Sequence, residues 1–95
     1  MTGEETKRRQ ELARAAQAAH VLDHPIATEV LDTIERDVLR AWEATTAMES
    51  DKREKLWMWY LCCRKFRNTL KSIVDTGTMA EIQLEEAKKF SVWRR

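Results

Sequence analysis

Ninety-five residues allow one domain with a modest core, and 43% hydrophobic against 35% charged residues is the balance of a folded chain, not a disordered one. A net charge of +1 makes nucleic acid a poor default partner. The longest apolar run, Leu56 to Cys63, is far shorter than the roughly 20 residues a membrane-spanning helix needs, and no N-terminal apolar stretch reads as a secretory signal.

Two glycines and one proline, in a chain rich in Ala, Glu, Lys, Leu and Arg, predict an all-α fold. The first helix is expected over about 4–22. Its apolar stripe of Leu12, Ala15, Ala16, Ala19 and Leu22 is narrow and lined with alanine, so its first turns are expected to fray or to order on a partner. Asp23-His24-Pro25 makes a junction, because proline disfavours helical geometry at His24 and suits a first turn itself. A second helix follows over about 25–45. Ile26, Val30, Ile34, Val38 and Ala41 form its stripe, widened by Leu31, Leu39 and Trp42.

Asp51-Lys52-Arg53-Glu54 reads as a capping box that opens a third helix over about 51–76. Leu56, Trp59, Cys63, Phe66, Leu70 and Ile73 alternate at spacings of three and four, the pattern of an apolar seam. Gly77 is expected as the residue that ends this helix, and Thr78-Met79-Ala80-Glu81 as a capping box for a fourth over about 79–90. Met79, Ile82, Ala87 or Glu86, and Phe90 mark the expected inner face of that helix.

Residues 25–50 carry two basic against six acidic side chains, a net −4; residues 51–76 carry seven against three, a net +4. Opposite charge on successive amphipathic helices favours an antiparallel hairpin. The expected architecture is therefore all-α, a single domain over 1–95. It is a small bundle built on an antiparallel helical hairpin (about 25–45 and 51–76) with flanking N- and C-terminal helices.

No catalytic, cofactor or metal site is expected. Adjacent Cys62 and Cys63 point about 100° apart on a helix and share one ion poorly, and His20 and His24 are two helices away. Two adjacent cysteines are no secreted disulfide framework either, which favours a reducing compartment. There is no glycine-rich phosphate loop and no nucleophile with a nearby histidine, so the chain reads as a non-enzyme.

Trp57, Tyr60, Arg64, Arg67 and Lys71 fall on one continuous helix face. Such a face suits a protein interface, with Trp, Tyr and Arg as anchors. It also suits single-stranded nucleic acid, with rings for bases and cations for phosphates. A third possibility is that other helices cover the rings while the arginines pair with carboxylates of the second helix. Phe90, Trp93, Arg94 and Arg95 form a second candidate contact at the C-terminal tail.

Ala41-Trp42-Glu43-Ala44-Thr45, Asp51, Arg53-Glu54-Lys55-Leu56-Trp57, Leu70, Asp75-Thr76-Gly77 and Met79-Ala80, preceded by His24-Pro25-Ile26 and the VLDTIERD run, carry a likeness over about 24–86. This stretch resembles a family of small, uncharacterised helical proteins of tailed bacteriophages. The resemblance implies no catalytic or binding residues. It implies a non-enzymatic phage protein acting through protein–protein contacts, as a virion structural or assembly component, with self or a larger virion protein as partner. The alternative is a small nucleic-acid-binding packaging or regulatory protein using Arg64, Arg67 and Lys71. An inhibitor of a host factor is the third reading. The implied location is the host cytoplasm during infection, or the virion; no cofactor is expected.

Overall fold

The computed structural model describes the backbone of residues 2–93 and the side chains of residues 2–91. Among the described residues there are three helices and no strand: α1 (Gly3–Leu22), α2 (Pro25–Glu43) and α3 (Ser50–Trp93). The all-α expectation holds. The count of four helices does not.

α1 starts on Thr2, whose hydroxyl accepts the Glu5 N–H at 3.1 Å and satisfies one of the free donors of the first turn. Between α1 and α2, His24 is extended (φ −75°, ψ 117°) with Pro25 just inside the helix, as the junction required. The Thr28 hydroxyl donates back across the junction to the Leu22 carbonyl at 3.1 Å. α2 stops at Glu43, and the loop to α3 is closed at Thr46 and Glu49. The Thr46 N–H donates to Glu49 Oε1 at 3.1 Å and the Glu49 N–H to the Thr46 carbonyl at 3.0 Å. The side chain that closes the entry to α3 is therefore Glu49, not the expected Asp51–Glu54 pair.

Gly77 does not end a helix. α3 runs through it without a break, Gly77 has no positive φ, and the Thr78 hydroxyl donates to the Val74 carbonyl at 3.2 Å instead of capping a new helix. The reason for glycine lies across from it. A Cβ at residue 77 would collide with the Cβ of Ala15 on α1, and would stand 3.4 Å from the Glu11 carbonyl oxygen. Gly77 is there for close approach, which glycine also serves. The expected helices over 51–76 and 79–90 are one 44-residue helix.

The chain divides into two compact units. The first is α1 to Val21 with α3 from Leu70 onward; the second is Leu22 to Thr69. In the first unit Ala15, Ala18, Gly77 and Ala80 are buried, and Arg8 Nε donates to Gln83 Oε1 at 2.7 Å. Ala18, not the expected Ala16, completes the covered stripe of α1. Met79, Ile82 and Phe90, expected to face inward, are exposed. In the second unit the buried residues are Val38 and Thr45.

Candidate functional site

The inner stripe of α3 in the second unit consists of Arg53, Leu56, Tyr60, Cys63 and Arg67, all partly covered. The expected seam is thus rotated. It shares Leu56 and Cys63, but Trp59 is 66% exposed and Phe66 is 51% exposed. Their places are taken by Tyr60 and Arg67, amphipathic side chains whose apolar stems cover neighbouring surface while their polar ends reach out.

Arg67 carries the most defined polar contact of the unit. Its Nη2 donates to Asp32 Oδ1 at 2.6 Å and its Nε to Glu35 Oε1 at 3.0 Å. Partial burial works against its charge, and hydrogen bonding to Asp32 with the field of Glu35 more than restores it, leaving the guanidinium more basic than usual. Arg53, in the first turn of α3, lies over the Trp42 ring at 4.1 Å from its centroid. It also donates from Nη1 to Thr45 Oγ1 at 2.9 Å. The Thr45 hydroxyl in turn donates to the Trp42 carbonyl at 2.6 Å. Nothing in the sequence marked Arg53 beyond its place in a capping box; an arginine eight residues after a buried threonine has no local signature.

The aromatic-basic row is therefore divided. Trp57 and Tyr60 stack with centroids 5.5 Å apart and an interplanar angle of 29°. Arg64 Nη1 donates to the Tyr60 hydroxyl at 3.1 Å, with its guanidinium 5.8 Å from the ring centroid. That hydrogen bond and the field of the phenol hold the Arg64 guanidinium above its ordinary basicity. Trp57 and Arg64 are exposed, as is Lys71 on the part of α3 that belongs to the first unit. Arg67 is turned to two carboxylates, which a phosphate would have to displace. Of the tail residues, Phe90 is exposed. Arg94, Arg95 and the side chain of Trp93 lie outside the described residues.

Large apolar side chains stand open on both helices of the second unit. Ile26 is 56% exposed, Val30 49% and Ile34 38%, although all three were expected in the inner stripe of α2. The covered positions there are Ala27, Thr28, Leu31, Glu35, Val38, Ala41 and Trp42, of which Leu31, Val38, Ala41 and Trp42 belong to the expected stripe. Two amphipathic helices cover only the facing part of each other's surface, so an apolar stripe wider than that contact keeps a bare flank. Residues 79–90, expected as a fourth helix, continue α3 instead.

Cys62 is exposed and Cys63 partly covered, both as free thiols. Among the described residues no group of three or more His, Cys, Asp or Glu side chains could hold a metal ion, and no helix is long and apolar enough to cross a membrane. Comparison with protein-family models, with curated proteins and with solved structures finds no match for this chain.

Proposed function

We propose that the chain is a non-enzymatic protein that acts through protein–protein contacts, using an apolar face of its second unit. The observation that carries this reading is the exposure of Ile26, Val30, Ile34, Trp59 and Phe66 together in one small unit. A water-soluble monomer seldom leaves a contiguous apolar patch of more than a few hundred Å² bare.

Contiguity follows if α2 and the first part of α3 run antiparallel, as their contacts suggest. Arg53 meets Trp42 and Thr45, whereas Arg67, fourteen residues later, meets Asp32 and Glu35. These contacts support progress along α3 being matched by return along α2. Val30 and Ile34 each precede a partly covered residue, Leu31 and Glu35, by one step. Trp59 and Phe66 likewise precede Tyr60 and Arg67. One step back turns a side chain by about 100° in the same sense on either helix. On two helices that face each other in opposite directions, the displaced stripes emerge on the same side of the pair. Ile26, Val30, Ile34, Trp59 and Phe66 then share one face.

The role most consistent with this face is that of a virion structural or assembly component of a tailed phage, present in the host cytoplasm during assembly or in the particle. The likeness of residues 24–86 to small phage proteins supports the setting, and the open apolar face supports the mode of action. A photo-crosslinking residue in place of Trp59 tests it, with one in place of exposed Arg36, on the other side of α2, as the control. Adducts to a phage protein or to the chain itself through position 59, absent through position 36, are expected, together with the chain's presence in purified particles. Equal labelling at both positions overturns the face. Adducts to a host protein only would favour the host-factor inhibitor, and adducts to nucleic acid the packaging or regulatory alternative.

A further inference from the structure

We infer that the occupant of the apolar face is a second copy of the chain, docked so that α2 of each copy lies on α3 of the other. This rests on the reading that the second unit presents one shared face, and it names the partner.

Three observations support self-docking. First, size: given their exposures, Ile26, Val30, Ile34, Trp59 and Phe66 offer on the order of 500 Å² of apolar surface per copy. Two such faces buried together approach about 1,000 Å², where specific interfaces begin, before any rim is added. Second, charge: two copies can meet face to face about a two-fold axis across the helices or along them. An axis across the helices sets α2 on α2 and α3 on α3, so that the net −3 of α2 meets another −3 and the net +4 of residues 51–69 of α3 meets another +4. An axis along the helices sets α2 on α3, so that −3 meets +4 twice. Third, register: with the axis along the helices, the register of the Arg53 and Arg67 contacts repeats between copies. Ile34 then meets the second copy's Phe66, and Ala41 meets its Trp59, large against small. Asp37, on the same side of α2, faces α3 of the second copy. Among the described residues no ion pair engages Asp37, or Lys55 and Lys65 on α3.

The test uses the full chain with Cys62→Ser and Cys63→Ser, and reads mass by light scattering and then disulfide trapping. The expected mass is twice the 11.2 kDa of one chain. Phe66→Glu, at an exposed position, is expected to weaken the dimer about thirtyfold or more, the scale of an interface anchor, with unchanged helical circular dichroism. Mixing a chain carrying Ile34→Cys with one carrying Phe66→Cys is expected to trap mixed dimers, and Ile34→Cys alone to trap few. A monomer at every concentration overturns the second copy as occupant, while position-59 adducts to another protein would leave the proposed function standing. A dimer indifferent to Phe66→Glu overturns the face. Efficient trapping by Ile34→Cys alone overturns the α2-on-α3 arrangement.

Discussion

The two units of this chain bury different things. The first brings α1 against the later part of α3 through Ala15, Ala18, Gly77 and Ala80, with Ala80 fully buried and no room for a Cβ at Gly77. The second holds α2 to the earlier part of α3 with Arg53 and Arg67, and leaves isoleucine, valine, tryptophan and phenylalanine in solvent. An alanine methyl contributes about 0.8 kcal/mol of burial and a large apolar side chain about 1.5–3 kcal/mol. The richer reserve of hydrophobic free energy is therefore the one left unused within the chain. Small residues finish a contact; large ones left open imply that a contact is still to be made.

Substitutions can separate the two modes. The largest effect is expected in the first unit. Gly77→Ala should gain helix propensity yet lose about 1–3 kcal/mol overall to overpacking against Ala15, read as a lower midpoint in urea. Pairing it with Ala15→Gly should recover much of that loss, and no recovery would mean that glycine is needed for some other reason. Arg67→Ala comes next, at about 1–2 kcal/mol, because it strips two partly exposed carboxylates of their partner. Arg53→Ala should cost about 1 kcal/mol, from the ring of Trp42 and the hydroxyl of Thr45 together. Phe66→Glu should change the stability of the isolated chain by no more than about 0.5 kcal/mol, since the site is exposed.

The smallest expected effect is one of pH. The Thr46 amide holds the Glu49 carboxyl below its ordinary value, against a burial penalty and helped by the charge of Lys52. A group depressed on folding stabilises above its unfolded value, near 4.3, and ceases to do so as pH falls through its folded value. The Thr46 amide resonance should therefore titrate with a midpoint below that of an ordinary glutamate. Glu49→Gln should abolish the titration.

How much of this was legible depended on whether a residue's role was local. The junction at His24-Pro25 and the helical content follow from backbone chemistry, which neighbouring residues determine. Gly77 was misread because two causes, a left-handed terminus and a close approach, select the same residue, and only Ala15 across from it tells them apart. The seam was misplaced because apolar residues were assigned to the inner stripe. The real stripe takes Tyr60 and Arg67, and sets Trp59 and Phe66 one step aside. For the candidate row the local part, Trp57 with Tyr60 and Arg64, could be read from spacing. The diversion of Arg67 to Asp32 and Glu35 could not, since it joins residues more than thirty positions apart.

The central claim is that the second unit's open face is a contact surface, whereas the alanine-glycine contact between α1 and the later part of α3 is already made within the chain. Amide hydrogen exchange at low and high protein concentration tests it most directly. Protection should rise with concentration over residues 26–34 and 59–66 while residues 8–20 and 77–84 stay unchanged. Exchange independent of concentration throughout, or a rise confined to the first unit, would contradict it.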